Sequence, residues 1–355
     1  MTKADAVAVI LLIGITIYAV FGGADFGAGL WSLLAGGGDR GRRPRELIDW
    51  AIGPVWEANH VWLIFVLVVL WTGFSSAFEA IFSTLFIPLS LAALGIVFRG
   101  AGFAFHHTAR RARGRALAET LFGLASVLTP FFLGTVVGAI AGGRVPLGNA
   151  TGDKWTSWLN ALSLVIGTLF VATSAYLASV FLVSDARRAG ALDLERYFGN
   201  RALVAAVVTG VLAAVGLVFL HRDARFVFDG LTGDGLPLVI VSLLCGIGVL
   251  VLLHRGARRG ARALAVGAVA AVIAGWGVAQ WPYLLPEKLT INDGAAPSAT
   301  LTSVLIVFGV AVLLVLPAIG LLFTLVQRNL VEETARPALG PSGDDGGTSA
   351  ASARD

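Results

Sequence analysis

The sequence predicts an all-α polytopic membrane protein of about nine transmembrane helices, arranged as two four-helix bundles plus one peripheral helix. Three observations lead there. The chain is 57% hydrophobic and only 14% charged, with a mean hydropathy of +0.83, which is more apolar surface than one soluble core of 355 residues can hide. Apolar stretches of 20 or more residues recur along its length, and each can cross a hydrocarbon layer of roughly 30 Å at about 1.5 Å per residue. Basic residues gather in alternate loops, as they do when successive helices thread a membrane.

The first apolar stretch covers 6–35. It outruns the hydrophobic region of a signal peptide and has no small-residue cleavage site at the right distance, so it is expected to be a retained helix. The remaining spans are expected at 47–71, 78–98, 117–141, 156–183, 201–220, 236–253, 263–282 and 300–326. The loops after spans one, three, five and seven carry 17 of the 26 Lys and Arg residues, among them Arg40, Arg99, Arg187 and Arg255. The positive-inside rule then sets the N-terminus outside and the residues after the last span in the cytoplasm. Residues 1–330 are expected to form the transmembrane domain. The tail, 331–355, is rich in Gly, Ser, Ala and Asp and is expected to be disordered. The basic pI of about 9.6 is therefore mostly a topology signal, and no soluble basic face suggests nucleic-acid binding. Cys245 is the single cysteine, which excludes an internal disulfide and a thiolate metal cluster built from this chain alone.

Ionisable residues inside the spans are the candidates for function, because they are costly there. Asp25 lies in YAVFGGADFGAGLW, among glycines that let neighbouring backbones approach. Glu57 and His60 lie in GPVWEANHVWLIF. Asp25 stands about ten residues before the inner end of span one and Glu57 about ten after the inner start of span two, so both are roughly 15 Å deep on adjacent antiparallel helices. His60 follows Glu57 by three residues and shares its helical face. Pro54 frees a backbone acceptor, and Asn59 and the flanking Trp56 and Trp62 complete a polar patch framed by aromatics. Such a patch suits a proton or water route, because ionisable residues at membrane depth are usually functional; the alternative is a Glu57–His60 pair that only fixes packing. Arg99, with His106 and His107 after it, reads as an anchor at the inner interface. Glu79 is expected to be solvated, and GWGVAQWPYLLP to stop span eight. An ordinary bis-His haem needs two intramembrane imidazoles, and only His60 qualifies; Met1 is the sole methionine, and no metal site is expected.

GADFGAGLW, GPVWEANHVWLIF, FRGAGFAF, GWGVAQWPYLLP and LTINDGAAPSATL occur in that order between about residue 20 and residue 305. Together they resemble subunit II of the cytochrome bd ubiquinol oxidase family. The resemblance implies a bacterial inner-membrane protein that pairs with a larger, haem-bearing subunit I to oxidise quinol and reduce dioxygen to water with cytoplasmic protons. It implies that haem b and haem d belong to that partner and that this chain, not catalytic alone, binds none. It leaves room for a structural quinone and a small single-helix accessory subunit. Asp25 falls on the acid of the family's glycine-rich motif and Glu57 on the acid of its W-[DE]-x-N motif, both associated with proton supply; Trp56 matches a possible quinone contact and Trp62 an aromatic near a proposed oxygen route. The chain departs from some relatives in having Glu at 57, His at 60 and Ala104 where an acid often stands. The carboxyl at 57 is kept, His60 is a possible extra relay group, and a proton role for the loop near Ala104 is put in doubt. The alternative function is a proton-coupled secondary transporter, which would need matched broken helices in inverted halves; a purely structural scaffold is the third.

Overall fold

The computed structural model describes residues 2–36, 38–52, 56–108, 112–256 and 260–327; Pro54 and the tail expected to be disordered lie outside these. The first helix, α1 (Lys3–Leu34), opens with a reciprocal cap: the Asp5 N–H donates to Thr2 Oγ1 at 3.1 Å, and the Thr2 N–H to Asp5 Oδ2 at 2.7 Å. The cap satisfies backbone donors that a helix start otherwise leaves unpaired.

The expected first basic loop is largely helical. Residues Gly38–Ile52 form α2, whose Leu47 and Ile48 are fully buried, so the predicted span 47–71 is divided between α2 and α3 (Trp56–Gly73). The next departure has a larger consequence. At Phe74 the backbone leaves the helical region (φ −142°, ψ 58°), and α4 (Ser75–Thr84) turns 118° from Asn59–Gly73. This short helix buries Ala77, Ala80, Ile81 and Thr84, the spacing of one helical face, and exposes Ser75, Ser76 and Glu79. Its solvated Glu79 agrees with expectation, but the third span starts eight residues late, as α5 (Phe86–Thr108) rather than at 78.

The rest follows the sequence closely: α6 (Ala112–Ala141), α7 (Ala161–Arg188), α8 (Leu192–Asp223), the short α9 (Arg225–Thr232), α10 (Leu236–His254), α11 (Ala261–Gln280) and α12 (Ser298–Gln327). Among the described residues six helices are long and apolar enough to cross a membrane, or seven if α3 and α4 count as one bent span, while Phe86–Gly102 and Ser298–Leu314 form shorter apolar runs. By length and apolarity alone the helices therefore yield fewer spans than the nine read from the sequence.

Between α11 and α12 the predicted helix stop is a folded cap. Strands β1 (Tyr283–Leu285) and β2 (Leu289–Thr290) pair antiparallel, Gln280 Nε2 donates to the Leu284 carbonyl at 2.6 Å, and the Ala296 N–H donates to the Gly73 carbonyl at 2.8 Å. Leu285, Leu289 and Ile291 join Ala4, Val7, Phe74 and Val145 in one apolar cluster, so the hairpin plugs the end of the bundle where α1 begins and α6 finishes.

Helices α1, α3, α5 and α6 form one group and α7, α8, α10 and α11 a second, joined where α6 and α1 both pack on α7; α12 lies outside, against α3 and α1. The two groups share a local device. Ala224, between α8 and α9, has φ −145° and ψ 57°, nearly the values of Phe74 between α3 and α4. In each half the second long helix ends in the same break and a short helix follows.

The glycines of α1 permit its central position. A Cβ on Gly27 would stand 1.9 Å from the Ser174 carbonyl oxygen of α7, and one on Gly29 would stand 2.1 Å from Ser126 Oγ of α6. Trp31 Nε1 donates to the Ala175 carbonyl at 2.8 Å and fixes the same crossing.

Candidate functional site

The site is built where α1, α3, α5 and α6 meet. Asp25 is 4% exposed and Arg99, from α5, only 1%. Arg99 Nη2 donates to Asp25 Oδ1 at 2.6 Å and to the Asp25 carbonyl at 3.4 Å, and Arg99 Nε donates to Ser126 Oγ at 3.1 Å. The Ser126 hydroxyl in turn donates to the Phe122 carbonyl at 2.7 Å. The guanidinium carbon lies 5.2 Å from the Phe26 ring centroid and 4.8 Å from that of Phe122, so its faces rest on aromatic rings while its edge makes the polar contacts.

This arrangement corrects the reading of Arg99 as an interface anchor. That reading followed from a third span drawn over 78–98, which left Arg99 just past its end. Because α4 turns away and α5 begins at Phe86, the span shifts along the chain and Arg99 falls well inside a helix running to Thr108. A guanidinium there needs a counter-charge, and Asp25 supplies it.

The carboxylate is only half satisfied. Asp25 Oδ2 is buried with no hydrogen-bond partner among the described residues, and so is the Tyr18 hydroxyl. The His60 ring lies beside them: its centroid is 6.0 Å from that of Phe26 and 6.5 Å from that of Tyr18, both edge to face. Asn59, 8% exposed, donates from Nδ2 to the Phe21 carbonyl at 3.4 Å and ties α3 to α1. His60 thus packs on Tyr18 and on Phe26, the residue next to Asp25. Trp56 and Glu57 belong to α3 by their backbone, but their side chains lie outside the described residues. Trp62 is farther along α3, edge to face with Phe65, which in turn meets Phe308 of α12.

One face of α3 is uncovered by this chain. Val61 and Ile64 are each 60% exposed, Val68 51% and Trp71 63%, and Glu57 is one turn before Val61 in the register of that stripe. Among the described residues no three His, Cys, Asp or Glu side chains cluster to hold a metal. His221 and His254 stand in the last turns of α8 and α10. The sequence reading missed Arg99, Ser126 and Tyr18 as parts of this site. For Arg99 a signal existed, an arginine in an apolar run beside two small residues; Tyr18 and Ser126 carry none.

The family model for cytochrome bd terminal oxidase subunit II matches residues 4–326, nearly all of the described chain. The chain belongs to that family. The subunit is 24% identical over 326 residues to a putative cytochrome bd menaquinol oxidase subunit II of Bacillus subtilis, a match covering 88% of this chain and 92% of that one. It is 27% identical over 219 residues to the cytochrome bd-I ubiquinol oxidase subunit 2 of Escherichia coli K12, covering 59% of this chain and 55% of that relative. Its fold is similar to a chain in the structure of bd oxidase from Geobacillus thermodenitrificans, with a TM-score of 0.73 and 26% identity over 93% of this chain and 100% of that one. The subunit is therefore a multi-pass protein of the bacterial inner membrane and one component of an oxidase complex. Membership implies a subunit I partner, with the haems residing there.

Proposed function

We propose that this subunit scaffolds the haem-bearing subunit I and conducts cytoplasmic protons toward it for the reduction of oxygen to water, through a hydrated path lined by Asp25, Glu57 and His60. The observation that carries the reading is the half-satisfied carboxylate: Asp25 is held by Arg99 through Oδ1 while Oδ2 is buried with no hydrogen-bond partner among the described residues, and His60 packs on the adjacent Phe26. A packing device alone has no use for a charged oxygen without a donor, whereas a route for protons needs an acceptor that water or a neighbouring acid can reach.

In this reading Arg99 keeps the charge of Asp25 affordable at depth, and Glu57 takes and releases the moving proton. Its position one turn before Val61 supports delivery to the partner, because a carboxyl in register with an uncovered apolar stripe cannot be left to lipid. Subunit I covering α3 would bury Val61, Ile64, Val68 and Trp71 and draw Glu57 against the partner. Trp62 lies on the oxygen route and Trp56 at a structural quinone; a small accessory helix completes the complex. Quinol is oxidised on subunit I and releases its protons outside, while oxygen takes protons from inside, so charge is separated without a pump.

Glu57→Ala should lower turnover and proton uptake by roughly 100-fold or more, the range for loss of a positioned proton-transfer group, while Glu57→Asp largely keeps them. The measurement is quinol-driven oxygen consumption by the purified two-subunit complex, with haem content read from its visible spectrum. Normal turnover in the alanine variant with normal haem content would sink the relay; loss of the complex itself would favour a packing role.

A further inference from the structure

Tyr18 stands seven residues before Asp25 on α1, two turns away on the same face. Long side chains on a helix usually lean back toward its N-terminus. The Tyr18 ring instead lies across Gly22, with two ring carbons 2.8 and 3.0 Å from where a Cβ would stand, and it reaches the Phe26 ring at a centroid distance of 6.4 Å. Gly22 leaves the room for that orientation, which aims the phenol along α1 toward Asp25. The hydroxyl feels the charges of both Arg99 and Asp25. Although the residue as a whole is half-buried, its hydroxyl oxygen is buried and has no hydrogen-bond partner among the described residues.

Among the described residues, a donor without an acceptor and an acceptor without a donor thus stand two turns apart on one face of α1, with the Phe26 and His60 rings packed on Tyr18. Each carries a desolvation cost that one internal water, with its two to four hydrogen bonds, relieves at both ends. We propose that Tyr18 and Asp25 share a buried water, held between the phenol and Oδ2 beside the His60 ring, and that Tyr18 is thereby a positioning residue of the proton route. The water accepts from the phenol O–H and donates to Oδ2. A proton crossing it forms one O–H bond as another breaks, and leaves the water neutral. The site deepens the function proposed above, and its role in turnover rests on that reading.

The test is Tyr18→Phe in the assembled two-subunit oxidase, which removes one oxygen and keeps the ring. Infrared difference spectra taken on reduction should lose the O–H stretch of an isolated internal water, identified by its shift in heavy-oxygen water. The Asp25 carboxylate band, assigned with Asp25→Asn, should move, and turnover should fall a few-fold at unchanged haem content. Gly22→Ala, whose Cβ would displace the ring, should reproduce the spectral loss. A water band and carboxylate band unchanged by Tyr18→Phe overturn the site, and altered bands with unchanged turnover overturn the positioning role. The spectra read the site whether or not protons pass it, so a silent Glu57→Ala, which sinks the route, leaves them decisive.

Discussion

Replacing Arg99 with methionine is expected to destabilise the subunit by about 3–5 kcal/mol, the cost of removing one partner from a buried ion pair. Both side chains are only 2% exposed and meet at 2.6 Å, so neither solvent screening nor a shift of rotamer offers relief. Methionine fills much of the same length but leaves Asp25 charged among Phe26, Phe122 and Ser126 with no counter-ion. The expected result in mild detergent is a complex that melts several degrees lower or loses subunit and haem on purification. The double variant Asp25→Leu with Arg99→Met should recover most of that stability, because an apolar pair of similar volume is often as stable as a buried ion pair, yet it should not recover turnover if Oδ2 serves the proton route. Arg99→Lys should fall between, since an ammonium keeps the charge but cannot reproduce both the Ser126 contact and the stacking on two rings. An Arg99→Met complex as stable as the parent would show that the pair contributes nothing.

Gly27→Ala should be the most damaging single methyl in the chain. Its Cβ would stand 1.9 Å from the Ser174 carbonyl oxygen and 2.8 Å from the Ala175 amide nitrogen, and both are backbone atoms of a packed helix that cannot rotate away. The two helices must separate, which breaks the Trp31 bond to the Ala175 carbonyl and loosens the packing of Ala28 against Ala178 and Leu182. Overpacking a core costs about 1–3 kcal/mol and occasionally more; a clash between backbones at one of the crossings between the two helix groups belongs at or above the upper end. Gly23→Ala is the control, since its Cβ would meet only Leu177 Cδ1 at 3.5 Å and Ser174 Oγ at 3.6 Å, ordinary contacts. Accumulation of assembled oxidase in membranes, compared between the two variants, checks the contrast; equal accumulation would mean that α1 and α7 can part at no cost.

Most helices were legible because hydropathy is a one-dimensional signal and lipid enforces it. The break at Phe74 falls in the gap between the expected spans 47–71 and 78–98, where Thr72, Gly73, Ser75 and Ser76 mark it, but the short helix that follows it was not legible. Because α4 takes up Ser75–Thr84, the third span starts at Phe86, and the depth assigned to Arg99 moves with it. Asp25 stood out as an acid in an apolar run, but its partner lies 74 residues away and was visible only once the register of α5 was known. Tyr18 gave no sign, because a tyrosine in a membrane helix is ordinary and its direction depends on the space over Gly22. The segment after α11 was read as a stop and is a paired hairpin, since two short strands leave little periodicity to detect.

The twin breaks at Phe74 and Ala224 have a consequence for how the chain is made. The first half starts and finishes at one end of the molecule, where Ala4, Val7, Ile140 and Val145 share a cluster; the second also starts and finishes together, with Leu162 beside Ala279. Each half is thus a closed excursion, and the connection over residues 142–160 runs between them with Val145 and Trp158 buried in the first cluster. Two separate messages cut within that connection would each deliver a complete unit to the bilayer, leaving the glycine-lined seams of α1 and α6 with α7 to bring them together.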